Sequence, residues 1–271
     1  MKQGVWIILM YGDMRFQSLR QLFAIARVVR REEGLFKAFW YVLNQNARSL
    51  GRFVYNSYSI LYARVFNKPL IYTVGDSHVK AFRWNRLFIV RHLGAATAHN
   101  LGKEHSKTGA NRKLIDIMSR VDRKAVVLLS FGEIDCRIHI YHQYKKRGEV
   151  TPIRELIDDT ILNYGNVLQK LRDLGVNFVV YGVPPATRVR NEYRYPFYAT
   201  PEMHSQISRM FNDRLKGFCE EKGYRYIDVH SRFSDDDGFM LKEYAADEIH
   251  LNGKAVDFVR SELHEKLGIR I

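Results

Sequence analysis

The pattern of hydrophobic and polar residues changes near Lys68-Pro69. Beyond that point short apolar runs alternate with longer amphipathic stretches, which predicts β-strands alternating with helices. The predicted strands are Leu70–Val74, Leu87–His92, Ala125–Phe131, Asn177–Tyr181 and Tyr224–Val229. One predicted helix starts near Val79. The other predicted helices cover Arg112–Arg120, Ile153–Leu174, Pro201–Lys222 and Gly253–Leu267. This alternation predicts a three-layer α/β/α sandwich with a five-stranded parallel sheet, because each β-α-β crossover places a helix on one face.

The first 69 residues have a different, helical pattern. Arg20, Arg27 and Arg31 recur at spacings of seven and four, which places them on one helical face. Apolar residues fall on the opposite face, namely Leu19, Leu22, Phe23, Ala26 and Val29. A second helical stretch, rich in aromatic residues, runs from about Leu35 to Phe66 and is broken near Gly51. We therefore expect a basic helical extension over residues 1–69 and a separate α/β domain over 70–271.

Charge sharpens this division. The 271-residue chain is 46% hydrophobic and contains only 6 prolines, which excludes the disordered and fibrous classes. Residues 1–69 carry eleven Lys or Arg against three acids, so they hold +8 of the net charge of +14. This composition suits the headgroup layer of an anionic membrane. The alternative is that these helices pack on the α/β domain with their arginines in water. A nucleic-acid partner is disfavoured because no binding motif accompanies the charge.

The cysteines and the N-terminus bear on location. Cys136 and Cys219 are the only cysteines, too few for a disulfide scaffold and without the paired spacing of a zinc site. They are expected to be free thiols in a reducing compartment. The apolar run at residues 5–11 is too short to span a bilayer. The expected location is cytoplasmic, with peripheral contact to a membrane.

Two short motifs carry the candidate chemistry. Gly75-Asp76-Ser77 follows the first predicted strand, and Asp247-x-x-His250 precedes the last predicted helix. A serine hydroxyl needs a neighbouring base, itself oriented by a third group, to act as a nucleophile. Each motif alone also has a plain interpretation, as a turn with a helix cap or as a capping aspartate beside a surface histidine. Their order and their placement at opposite ends of the sheet domain favour a catalytic triad.

At these motifs the chain resembles the SGNH/GDSL hydrolase family, over about residues 70–267. The resemblance implies a flavodoxin-like fold and a serine esterase or acylhydrolase that needs no cofactor and no metal. In it Ser77 is the nucleophile, His250 the base and Asp247 the group that orients the base. The substrate would be a small-molecule, lipid or O-acylated glycan ester. An O-acyltransferase acting on a surface glycan and a non-catalytic ligand-binding domain are the alternatives.

The middle blocks of the family supply the oxyanion donors, and here the chain departs from the pattern. Gly94 lies where the donor glycine is expected, with Gly102 as a second candidate. Gly132 and Asp135 match the third block, but Ile134 stands where that block has an asparagine. The resemblance implies that Gly132, Glu133 and Asp135 lie at the oxyanion or substrate site. Loss of one oxyanion donor typically costs on the order of 10²–10³ in rate. Three explanations are open: another donor replaces the asparagine, the enzyme is slow, or the site no longer performs the usual reaction.

Arg137 is the expected substitute donor, because its guanidinium offers several N–H groups in a fixed fork. A structural ion pair of Arg137 with Glu133 or Asp135 is the alternative. His78, His139 and His142 are candidates for substrate contact, although their scattered spacing argues against a metal site. Cys136 is a second possible nucleophile by position, but the base and the orienting group already have Ser77 as their partner in the family's chain order.

Overall fold

The structure is a computed structural model, which describes residues 50–51, 54–106, 108–189 and 196–268. The chain divides into two compact units, Met1–Asn67 and Lys68–Ile271. In the described part of the first unit, residues 54–65 form a helix. The basic face predicted at Arg20, Arg27 and Arg31, and most of the stretch predicted from Leu35, lie outside the described residues.

A single five-stranded parallel sheet organises the described part of the second unit. Its strands are β1 (Ile71–Gly75), β2 (Phe88–His92), β3 (Val126–Ser130), β4 (Phe178–Tyr181) and β5 (Arg225–Ile227). The strand order is β2-β1-β3-β4-β5, which is the flavodoxin-like order. Every residue of β1 and β3 is buried, as expected for central strands covered on both faces. The predicted fold class is therefore confirmed.

The register of β1 defines the edge at which a site can form. Gly75, the last residue of β1, lies beside His92 of β2 and beside Ser130 of β3. The three carboxyl ends therefore meet at one edge of the sheet. In this strand order β2 is added on one side of β1, and the later strands are added on the other side, starting with β3. In such sheets ligands bind in the crevice beyond the carboxyl ends of the strands at this switch point.

Six α-helices in the described ranges accompany the sheet. They are α1 (Ala110–Met118), α2 (Ile140–Lys146), α3 (Ile153–Asp173), α4 (Pro201–Lys222), α5 (Val229–Phe233) and α6 (Lys254–Leu267). The ends of α4 illustrate why the predicted bounds agree with the structure. The Thr200 hydroxyl accepts the N–H of Met203, Pro201 occupies the first turn, and Gly223 ends the helix in a left-handed conformation.

Two helical segments differ from the prediction. The helix expected from Val79 is a 3₁₀ helix, Ser77–Phe82, which starts two residues earlier. The segment after β3, for which the sequence predicts no helix, forms a π-helical turn, Asp135–His139, that continues into α2. Such turns leave little trace in sequence periodicity, because they are short and are stabilised by tertiary contacts. They occur frequently at functional sites.

Two further predictions can be compared with the described residues. Cys136 and Cys219 are free thiols, and both are fully buried. Among the residues that the structure describes, no helix is long and apolar enough to cross a membrane.

Candidate active site

Ser77 lies at the carboxyl end of β1, as the first residue of the 3₁₀ helix. Gly75 allows this turn by close approach, since a Cβ there would lie 2.0 Å from the carbonyl oxygen of Ser130 in β3. Asp76 then caps the helix, and its Oδ1 accepts the backbone N–H of His78 at 2.9 Å. The Gly-Asp-Ser motif therefore acts as a cap and also places the serine side chain at the sheet edge.

Asp247 and His250 reach Ser77 from a loop before α6. The Nε2 of His250 lies 2.7 Å from the Ser77 Oγ, and its Nδ1 lies 2.8 Å from Asp247 Oδ2. An Nδ1–H that donates to Asp247 leaves Nε2 as the acceptor for the serine hydroxyl proton. The structure thus brings the three predicted residues together across 173 positions of sequence, in the geometry that a serine nucleophile requires.

The loop holds Asp247 in its ionised form. Its partial burial raises the pKa, but hydrogen bonds from the backbone N–H and the ring of His250, and from the N–H of Ile249, lower it below the ordinary value. Asp247 Oδ1 accepts both backbone N–H groups at 2.8 Å. The side chains of Asp247 and His250 are 56% and 24% exposed. The site is therefore open to solvent, and a bulky ester could approach it.

Gly94 follows β2 and has a φ of +89°, a conformation that favours glycine. The N–H of the preceding residue, Leu93, donates to the carbonyl of Gly75 at 2.8 Å, so this turn lies against the end of β1. Within the described part of the chain, the Gly94 N–H donates to no backbone carbonyl, while its carbonyl accepts the N–H of Ala96 at 2.8 Å. Gly102, the second candidate, packs near Val167 of α3. Their roles as donors stay predictions, with Gly94 better placed.

The third block begins at Gly132, which has a φ of +114°. A Cβ there would lie 2.7 Å from the ring of Phe211 in α4, so packing as well as backbone conformation requires glycine. Ile134, at the position of the family's asparagine, is only 8% exposed and offers no side-chain donor. The structure therefore retains the departure seen in the sequence.

Arg137 forms the ion pair that the sequence left as an alternative. Its Nε contacts Glu133 Oε1, and one Nη donates to Oε2 at 3.2 Å. Both side chains are largely buried. Burial raises the pKa of Glu133, but His78 and Arg137 outweigh it and lower the pKa below its ordinary range. Two guanidinium nitrogens are thus directed at Glu133, and an oxyanion role for Arg137 stays a prediction with less support.

Asp135 anchors the loop that follows β2. Its two carboxylate oxygens accept the backbone N–H groups of Ala98, at 2.7 Å, and His99, at 3.2 Å. Burial raises the pKa of Asp135 to about 7, although these two donors act in the opposite direction. Asp135 therefore holds the loop in the structure, and its contact with substrate stays a prediction.

His78 differs most from expectation. The sequence makes it one of three candidates for substrate contact, but it is only 4% exposed. Its Nδ1 lies 3.0 Å from Asp76 Oδ1, and its Nε2 lies 3.2 Å from the carbonyl oxygen of Ile249. Burial lowers the pKa of His78, but the carboxylates of Asp76 and Glu133 outweigh it and raise the pKa to about 9. An aspartate two residues before a histidine was the one sequence signal for this contact.

Asp76, His78 and Glu133 are the donor types of a metal site, and their ligand atoms all lie within 4.8 Å of one another. Both nitrogens of His78 already face acceptors, however, and Glu133 is paired with Arg137. Two carboxylates and two cationic side chains balance in charge. The cluster is therefore better described as a buried ion network than as a cation site.

The remaining candidates lie after β3. Cys136 is fully buried, and this burial raises the pKa of its thiol well above the ordinary value, which disfavours a thiolate nucleophile. His139 lies in the π-helical turn, where burial and the neighbouring His142 lower its pKa. The His142 ring lies 6.0 Å from that of Phe197. Substrate contact by these two histidines stays a prediction.

Comparisons with known proteins agree on the fold. No family model and no curated protein matches the chain. A candidate acylhydrolase from Bacteroides fragilis NCTC 9343 has a similar structure, with a TM-score of 0.51 and 15% identity over 74% of this chain and 89% of that one. A GDSL-like lipase from Bacteroides thetaiotaomicron VPI-5482 has a TM-score of 0.50 and 14% identity, over 79% of this chain and 97% of that one. The chain has the SGNH/GDSL hydrolase fold.

Proposed function

We propose that the protein is a serine hydrolase acting on ester bonds, with Ser77 as nucleophile, His250 as general base and Asp247 as the group that orients His250. The observation that carries the proposal is the continuous contact from Ser77 Oγ through the His250 ring to Asp247, at 2.7 and 2.8 Å. In this reaction His250 takes the hydroxyl proton as Oγ attacks the ester carbonyl and returns it to the leaving alcohol. Water then hydrolyses the acyl-enzyme.

The oxyanion would be bound by backbone N–H groups. Those of Ser77 and Gly94 are the proposed donors, since Ser77 begins a helix and Gly94 lies in a turn against the end of β1. Ile134 contributes no third donor. We therefore expect turnover below that of an enzyme with the full set, by on the order of 10²–10³.

The test is ester turnover by the full chain, with p-nitrophenyl acetate and longer acyl esters. Ser77→Ala and His250→Ala should each lower kcat by about 10³ or more, because the nucleophile and its base act as a unit. Ser119→Ala and His105→Ala are matched controls at exposed positions and should retain wild-type rates. Equal rates in all five proteins would exclude the triad and support a non-catalytic ligand-binding domain.

The proposed substrate is an O-acylated glycan or a lipid ester. An exposed triad admits a polymer or an interface as readily as a small ester. Transfer of the acyl group to a sugar hydroxyl would use the same residues, with the sugar in the place of water. Product analysis with an added sugar acceptor distinguishes the two outcomes, since a transferase yields the acylated sugar and a hydrolase yields free acid.

We further propose that the first unit contacts an anionic membrane. Helix 54–65 has an exposed apolar face consisting of Val54, Tyr58, Leu61 and Val65. These residues recur at helical spacings of four, three and four. The sequence contains no acidic residue between Glu33 and Asp76. An apolar face within a basic segment complements the negative surface and the apolar interior of such a membrane.

A further inference from the structure

His78 is buried at the centre of the loops that form the candidate active site. Its two ring nitrogens face two acceptors, Asp76 Oδ1 at 3.0 Å and the carbonyl oxygen of Ile249 at 3.2 Å. Both nitrogens must carry hydrogen to donate to both acceptors, so the ring is an imidazolium. The carboxylates of Asp76 and Glu133 stabilise that charge, with the pKa near 9.

The same ring contacts the residues that carry the base. Ile249 immediately precedes His250, and the rings of His78 and His250 pack with centroids 4.7 Å apart at 39°. Asp247 accepts the N–H of Ile249, while His78 donates to its carbonyl. The peptide groups on both sides of Ile249 are therefore held from different directions, which fixes the position from which His250 Nε2 meets Ser77.

We propose that His78 is a positioning residue for the hydrolase reaction, which holds the Asp247–His250 loop through the carbonyl of Ile249 and fixes the His250 ring by packing against it. The inference rests on the proposed function. His78 does not touch the reacting atoms in this role. Misplacement of a catalytic base by about 1 Å can cost on the order of 10² in rate, which sets the size of the effect.

Two variants separate the contacts of His78. The amide nitrogen of glutamine can take the place of Nε2, so His78→Gln keeps a donor for Ile249. That of asparagine can take the place of Nδ1, so His78→Asn keeps only the contact with Asp76. We expect His78→Asn to lower kcat about 10- to 100-fold with little change in KM, and His78→Gln to restore most of this loss.

His230→Gln is the matched control, since His230 is also 4% exposed; it should leave kcat and KM unchanged. Equal kcat in His78→Asn and His78→Gln would overturn the proposal. If neither variant folds, ring ¹⁵N spectra of the wild type decide, because His78 must carry both ring protons at pH 8, and a neutral ring would overturn the assignment.

The spectra also separate this proposal from the proposed function. The ring resonances of His250 can be followed by NMR whether or not the protein turns over an ester. A wild type without turnover, in which His78→Asn displaces these resonances much more than His78→Gln does, would refute the hydrolase and support the positioning contact. Turnover that depends on Ser77 but not on His78 would support the hydrolase and refute the positioning role of His78.

Discussion

A charged histidine buried beside Ser77, the proposed nucleophile, should affect stability as well as rate. A group whose pKa is higher in the folded than in the unfolded chain stabilises the fold while it is protonated, and this contribution is lost as pH rises through the folded value. For His78 the two values are 6.5 and about 9. Its stabilisation is therefore complete below pH 6.5 and is lost as the pH approaches 9.

The measurement is the free energy of unfolding in urea between pH 7 and 9. Asp135 acts at lower pH, since its folded pKa of about 7 exceeds the ordinary 3.8 and its ionisation costs stability between those values. The window above pH 7 therefore reports mainly on His78. We expect wild type and His230→Gln to lose stability across this window and His78→Gln to be nearly flat. Parallel slopes in all three proteins would contradict the burial of a charged His78.

The same residues show where sequence analysis ends. The proximity of Ser77, Asp247 and His250 could be predicted because two short motifs in a fixed order bracket the sheet domain. The contact of His78 with Ile249 spans 171 positions and depends on a backbone carbonyl, which has no sequence signature. Arg137 and Glu133 lie four residues apart, a spacing compatible with an ion pair, but only the helical turn after β3 distinguishes that pairing from a donor directed at substrate.

Among the secondary-structure elements, the contact between β1 and β3 gives the sharpest test of the fold. Gly75→Ala would place a Cβ 2.0 Å from a backbone oxygen that cannot rotate away. We expect a loss of at least about 3 kcal/mol in the free energy of unfolding. Gly217→Ala is the control, because Gly217 lies on the exposed face of α4 with open space at the Cβ. That change should stabilise the protein by about 0.5–1 kcal/mol.

Chemical denaturation of the two alanine variants measures both effects. Comparable stabilities would mean that β1 and β3 do not approach closely, and the serine turn would then need another explanation.

The strands and long helices could be predicted to within a few residues, since buried parallel strands are continuous apolar runs and amphipathic helices keep a 3.6-residue period. The π-helical turn at Asp135–His139 could not. Its first residue, Asp135, accepts N–H groups of Ala98 and His99, which lie 37 and 36 positions away, and such contacts leave no local pattern. That turn directly follows Ile134, the residue at which the third block departs from the SGNH/GDSL pattern.

For the whole molecule, the proposed membrane contact predicts that the full chain sediments with anionic vesicles and is released by salt, because exposed charges are screened. Replacing Leu61 with Gln and Val65 with Asn, at side chains that are 61% and 66% exposed, should weaken binding about tenfold or more. The matched control replaces Leu162 with Gln and Val150 with Asn, which are 61% and 82% exposed in the second unit. Equal losses in both double variants, or no sedimentation of wild type, would remove the membrane proposal.

The two buried thiols have a practical consequence for site-specific labelling of the protein. The chain contains only two cysteines, and both are inaccessible in the folded state. Burial raises the pKa of Cys136 well above its ordinary value and that of Cys219 to about 12, so neither presents a thiolate to a maleimide at neutral pH. A single cysteine introduced at an exposed position of helix 54–65 can therefore be labelled without removing the native pair. A nitroxide attached there would report immersion depth in a bilayer directly.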